Sequence, residues 1–184
     1  VKEPVTPVEV KEMINSQPNK APGKSQINAL LLKHLPENVI KLITVAFNTS
    51  LKFSILPKAW LAGIIFPTPK GSVSWDASTS STRPITLLEV LQKCLVGIIA
   101  TRIRRLADKH RVLKGKNFSV LHGTSTDDVL ARISSMIEYA REFKKELWII
   151  LLDIKRAFDS VDFKLLAISL RRLGLPEQYI KWIN

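Results

Sequence analysis

The 184-residue sequence predicts a mixed fold, α+β or α/β, in which helices outnumber strands and separate them. Three observations lead there. Cap-forming residues repeatedly precede apolar stripes at helical spacing. A short apolar run at 62–66 meets Pro67 and Pro69, as an edge strand would. Finally, Leu147-Trp148-Ile149-Ile150-Leu151-Leu152 is uninterrupted by polar residues and ends in Asp153. That run is too short for a domain-spanning helix and shows no alternation, so it reads as a strand buried on both faces. An Asp just past such a strand sits where a sheet edge opens into a crevice, a usual place for a metal ligand or catalytic group.

The elements follow in order. Thr6-Pro7-Val8-Glu9 supplies an N-cap, a proline at the first helical position and a capping-box acid, predicting a short helix through Ile14. A basic loop with Pro18, Lys20, Pro22, Gly23 and Lys24 comes next. Helices are expected over 26–35, lined by Leu30, Leu31 and Leu35, and over 37–53, with Ile40, Ile43, Phe47 and Leu51 inside. The strand at 62–66 leads through Lys70 into a Ser/Thr-rich loop over 72–82 that Arg83-Pro84-Ile85 closes, so a strand pair is expected to flank the loop. A long helix over 88–109 buries Leu88, Leu91, Leu95, Ile98 and Leu106. Ser125-Thr126-Asp127-Asp128 caps a helix to about Lys145 with Val129, Ile133, Ile137 and Ala140 as its stripe. After the apolar run, the stretch 159–162 caps a helix that buries Leu166, Leu170 and Leu173 and ends at Gly174 and Pro176; another helix begins near Tyr179.

Composition narrows the partners. Lys plus Arg is 28 against 16 for Asp plus Glu, a net charge of +12, and nucleic acid is the commonest polyanion to meet such a surplus. The excess concentrates in Arg102, Arg104, Arg105, Lys109, Arg111, Lys114 and Lys116, against Asp108 alone. A single cysteine, Cys94, excludes an internal disulfide and a cysteine-based zinc site. The most apolar long stretch, 85–100, is interrupted by Glu89 and Lys93 and falls short of a membrane span. A start at Val1 and a stop at Asn184 within a helical pattern suggest a piece of something longer.

Three chemistries compete for Asp153. Gly23-Lys24-Ser25 superficially completes a phosphate-binding loop, but Pro18 stands where its first glycine belongs and removes both the free φ and an N–H. An aspartyl phosphatase wants a second acid two residues on, where this chain has Lys155. A polymerase palm fits better. Nucleotidyl transfer uses two Mg²⁺ ions about 3.5–4 Å apart. Asp153 and the carbonyl of Ile154 are suitably hard ligands. Phe158, five residues on, can lie under the incoming sugar and exclude a 2′-hydroxyl. Lys70 and Arg83 are the candidates to neutralise the triphosphate.

Four blocks then make the resemblance specific. Asn19-Lys20-Ala21-Pro22-Gly23-Lys24, the stretch 64–71 with Arg83-Pro84-Ile85 and 92–103, Gly123-Thr124-Ser125-Thr126, and Leu152 through Val161 stand in one order. The chain so resembles the fingers and early palm of reverse transcriptases of the non-LTR retrotransposon (LINE-like) type, and is similar to group II intron enzymes. The resemblance implies an α+β fold: helix-rich fingers over 1–145 and the start of a palm sheet over 146–184. It implies Asp153 as catalytic metal ligand, Phe158 as sugar gate, and Ala157 (through its backbone), Lys70 and Arg83 as triphosphate contacts. RNA template, DNA primer and deoxynucleoside triphosphates are the implied partners, with no membrane. Asp159 is expected to serve as a helix cap.

The chain also departs from the pattern. Lys24-Ser25-Gln26 replace the usual Pro-Asp-Gly, and Asn117-Phe118-Ser119-Val120-Leu121 lacks the usual arginine. An aromatic followed two residues later by paired aspartates is missing; Asp127-Asp128 precedes Asp153 and opens a helix. One aspartate cannot hold two divalent ions, so this chain alone is not expected to polymerise. The alternative to a polymerase part is a catalytically inactive, nucleic-acid-binding remnant of the fold.

Overall fold

The computed structural model describes residues 3–70, 82–110, 112, 125–154 and 157–183. Its contacts divide into two compact units, one made of Val1–Ile103 with Gly174–Asn184, the other of Arg104–Leu173.

The first unit is a helical cluster carrying a hairpin. Helix α1 (Pro7–Ser16) starts as expected: the Thr6 hydroxyl accepts from the Glu9 N–H, and the Glu9 carboxylate accepts from the Thr6 N–H. The next helix, α2 (Ala29–Lys33), is much shorter than the expected 26–35. Gln26 takes a left-handed φ of 63°, which a continuing helix excludes, and Asn28 then caps the helix through the Leu31 N–H. With the start displaced, Ala29 and Leu32 are buried while Leu30 and Leu31 face solvent, correcting the expected stripe. Helix α3 (Glu37–Phe53) matches its expected bounds and buries Ile40, Phe47 and Leu51, joined by Thr44 and Ser50. Phe47 is fully buried, with the Trp60 ring edge-on at 5.9 Å.

Polar side chains lock these helices together. The Asn48 amide accepts from the Val5 N–H at 2.7 Å and donates to the Val5 carbonyl at 2.9 Å, fixing the strand-like entry to α1 on α3. Two residues further along α3, Trp182 of α7 (Glu177–Ile183) donates through Nε1 to Ser50 Oγ. Hairpin strands β1 (Ile64–Pro69) and β2 (Thr82–Leu87) pair antiparallel, with Ile64 opposite Leu87 and Pro69 opposite Thr82. Pro67 faces Pro84, which a two-stranded sheet tolerates because both strands are edges. Helix α4 (Val90–Lys109) follows and buries Val90, Cys94, Leu95, Ile98 and Ile99; Leu88 and Leu91 are only half-buried. Burial pushes the Cys94 thiol up to about 12, against a smaller opposing effect of Lys93, so it stays protonated and inert at neutral pH.

Arg102 departs from its expected role on a basic surface. Its guanidinium grips Glu9 at both oxygens, Nε to Oε1 at 2.9 Å and Nη2 to Oε2 at 2.7 Å, and donates to the Pro4 carbonyl as well. It ties α4 to the start of α1 and is withdrawn from solvent. Burial raises the Glu9 carboxyl, but hydrogen bonds from Arg102 and Thr6 and the Arg102 charge outweigh it and hold it below its ordinary 4.5. A depressed folded value stabilises above the unfolded one and is lost as pH falls through the folded value. Glu9→Gln should therefore cost about 1 kcal/mol near neutrality. Chemical denaturation at stepped pH should show that difference closing below about pH 4.5; a gap independent of pH would disprove the assignment.

The second unit holds α5 (Thr126–Glu142) and α6 (Phe163–Arg172). Ser125 and Asp128 form the capping box of α5, as its sequence predicts. No residue of α5 is buried, however; Val129, Ile133 and Ala140 are half-covered and Ile137 is exposed. Asp162, not Asp159, caps α6, accepting from the Lys164 and Leu165 N–H groups at 2.7 and 3.1 Å. The correction is one of spacing: an N-cap must sit two or three residues before the amides it satisfies, and Asp159 lies too far back. In the first unit, Gly174 takes φ 74° just past the end of α6, the left-handed stop its sequence implies.

Candidate functional site

The apolar run that promised a central strand is irregular and exposed. Residues 145–154 carry no strand pairing, and Trp148 and Leu152 are 86% and 92% exposed. A buried strand needs neighbours for its N–H and C=O groups and cover on each face. Among the described residues the strands are β1 and β2, which pair with each other, so that need is unmet. The sequence shows what the segment is suited to, and the described fold does not supply it.

Asp153 and Ile154 end this run, both exposed. Lys155 and Arg156 lie outside the described residues. Ala157 to Ser160 then form a turn: Ser160 Oγ donates to the Ala157 carbonyl at 3.0 Å and the Val161 N–H to the Phe158 carbonyl at 3.3 Å. The turn commits its carbonyls to itself. Phe158 projects into solvent with 95% of its surface free, an unusual state for an aromatic that packing does not require. The second unit thus brings Asp153, Ile154, Ala157 and Phe158 onto one short stretch ahead of α6.

Lys70 and Arg83 belong to the first unit. Arg83 sits opposite Thr68, and Lys70 follows the last paired residue of β1, so both cations stand at the loop end of the hairpin, exposed. Of the basic cluster, Arg104, Arg105 and Lys109 are exposed on the C-terminal half of α4. Arg111, Lys114 and Lys116 lie outside the described residues, as do Gly123 and Thr124.

The donor chemistry at Asp153 suits a hard cation: one carboxylate and an adjacent carbonyl, both oxygen. Among the described residues no three His, Cys, Asp or Glu side chains gather to hold an ion, so Asp153 supplies part of a ligand set. No described helix is long and apolar enough to cross a membrane.

One feature escaped the sequence. A cavity of about 590 Å³ lies between α5 and residues 145–147, lined by Met136, Tyr139, Ala140 and Leu147 with Arg132 and Lys145. Lys145 Nζ donates to Tyr139 Oη at 3.0 Å and lies 4.9 Å from that ring's centroid. Helical spacing marked Ala140 as apolar but not the side chains that would meet it.

The chain is similar in sequence to known proteins. The family described as reverse transcriptase (RNA-dependent DNA polymerase) matches residues 68–184. A relative named probable RNA-directed DNA polymerase from transposon X-element, of Drosophila melanogaster, is 34% identical over 86% of this chain and 17% of its own length. The RNA-directed DNA polymerase from mobile element jockey, also of Drosophila melanogaster, is 30% identical over 96% of this chain and 19% of its own. The retrovirus-related Pol polyprotein from type-1 retrotransposable element R2 of Popillia japonica is 28% identical over 98% and 24%. The chain therefore spans between 17% and 24% of the length of these relatives.

Proposed function

The chain belongs to the reverse transcriptase (RNA-dependent DNA polymerase) family, and on that premise we propose that it forms the fingers, over 1–145, and the start of the palm, over 146–184, of a retrotransposon RNA-directed DNA polymerase. The single observation that carries this reading is the family match across 68–184, because that span holds Lys70, Arg83, Asp153 and Phe158 together. RNA template, DNA primer and deoxynucleoside triphosphates are its substrates.

Each residue has a role its chemistry suits. Asp153, with the carbonyl of Ile154, would hold Mg²⁺, and the metal supplies charge stabilisation and an activated hydroxyl when bound. The Phe158 ring lies against the sugar, while Ala157 meets the triphosphate through its backbone. Lys70 and Arg83 are aimed at charge that redistributes over the phosphates during transfer. Arg104, Arg105 and Lys109 provide a sequence-independent grip on the nucleic-acid backbone, which Arg111, Lys114 and Lys116 extend along the sequence. Arg102 is left out, since Glu9 already holds it.

This reading is tested by binding. The chain should bind an RNA template–DNA primer hybrid with strong salt dependence. Replacing Arg104, Arg105 and Lys109 by Ala together should flatten the slope of log affinity against log salt by about two to three. An unchanged slope would remove those residues from the interface.

A further inference from the structure

Glu89 is a carboxylate buried to 5% exposure between β2 and α4, and no cation among the described residues forms an ion pair with it. Burying such a group is costly unless hydrogen bonds satisfy it. Its partners come from far away in sequence: the Ser25 N–H donates to Oε1 at 2.8 Å and the Ser25 hydroxyl donates to Oε2. The contact is close on the next side too. A Cβ added to Gly23 would stand 2.8 Å from the Glu89 backbone nitrogen and 2.9 Å from its carboxyl carbon, so only glycine lets the loop lie there. The loop then turns on itself: the Gln26 N–H donates to the Gly23 carbonyl and the Ile27 N–H to Ser25 Oγ. Lys20 and Lys24, carried by this fixed loop, are both exposed and form no ion pair with a described residue.

We propose that Glu89 is a positioning residue whose buried carboxylate, bound by Ser25, sets the 19–25 loop so that Lys20 and Lys24 contact nucleic-acid phosphates. The proposal rests on the nucleic-acid reading above. It explains why a basic protein keeps an unpaired acid inside. The carboxylate offers two acceptors to one serine at a place where an apolar side chain offers none, and it joins the loop to the root of the hairpin that bears Arg83.

The test exploits a sign. Removing an acid from a polyanion-binding protein raises its positive charge and by bulk electrostatics tightens binding; losing a positioning residue weakens it. The full chain is titrated with a labelled RNA–DNA hybrid over a range of salt. Lys20→Ala with Lys24→Ala should lower the salt slope by about 1.4–1.8, at about 0.7–0.9 per phosphate contact. Glu89→Ala should weaken binding and lower the slope by the same amount, with no further loss when combined with the lysine pair. Glu89→Gln, which keeps an acceptor for the Ser25 N–H, should restore most of the slope. Ser25→Ala removes the hydroxyl's bond to Glu89 together with its acceptance from the Ile27 N–H, leaves the Glu89 side chain in place and should lose part of the slope, so it decides the matter if Glu89→Ala does not fold. Tighter binding by both Glu89 variants overturns the proposal. So does a lowered melting temperature with an unchanged slope, or losses that add to those of the lysines. If the lysine pair is silent while Arg104, Arg105 and Lys109 still govern the slope, the loop proposal alone fails. If the chain binds no hybrid, the function reading fails with it.

Discussion

Asp153→Ala should abolish primer extension, by about 10³-fold or more, in a polymerase that joins this chain to the downstream palm of a relative. The reasoning begins with ligand chemistry. Mg²⁺ accepts hard oxygen donors and sheds water reluctantly, so a carboxylate at a fixed place is worth several kcal/mol of transition-state stabilisation. Each 1.36 kcal/mol is tenfold in rate, so losing even about 4 kcal/mol accounts for three orders of magnitude. Alanine leaves the neighbouring Ile154 carbonyl but no charge to hold the ion. Binding of the RNA–DNA hybrid should survive the change, because the basic side chains assigned to it lie elsewhere in the sequence. Extension that persists, or hybrid binding that falls with it, would each contradict the metal role: the first directly, the second by making the loss one of folding.

Phe158→Ala should relax discrimination against ribonucleotides by about 10–100-fold while leaving deoxynucleotide extension within a few-fold of its starting rate. Phe158 is 95% exposed, and its ring takes no part in the turn that the Phe158 carbonyl closes with Val161. Its truncation therefore leaves no core cavity behind, and a change in selectivity reports on the sugar contact and not on stability. The effect is steric: a ring pressed where a 2′-hydroxyl would stand opposes that substituent and little else. Single-nucleotide incorporation with matched ribo- and deoxynucleoside triphosphates measures it. Equal selectivity in the two proteins would remove Phe158 from the sugar.

Local chemistry was readable from the sequence; of the long-range contacts, the strand pair flanking the 72–82 loop was expected and the others were not. The Thr6–Glu9 and Ser125–Asp128 capping boxes, the bounds of α3 and the left-handed stop at Gly174 depend on residues a few positions apart. Each is settled by spacing. The misses share the opposite property. Arg102 looked like one more surface cation until the fold brought Glu9, 93 residues away, to its guanidinium. Glu89 looked like a mere interruption in an apolar stretch, and its value depends on Ser25, 64 residues away. The helix expected from Gln26 failed because the loop around Gly23 needs Gln26 in a left-handed turn. In the candidate site, Asp153 and Phe158 were singled out by residue type and position, and Ala157 through the family resemblance. The strand expected to hold them was not confirmed, since pairing depends on other strands and not on the run itself.

Asp153 as a metal ligand is the claim on which the rest turns, and metal-directed cleavage tests it without relying on turnover. The completed polymerase is loaded with Fe²⁺ in place of Mg²⁺ and treated with ascorbate and peroxide, so that radicals made at the bound ion cut the nearby backbone. Cleavage should fall beside residue 153 and disappear in Asp153→Ala. Cleavage there that survives the substitution, or cleavage confined to other segments, would contradict the account.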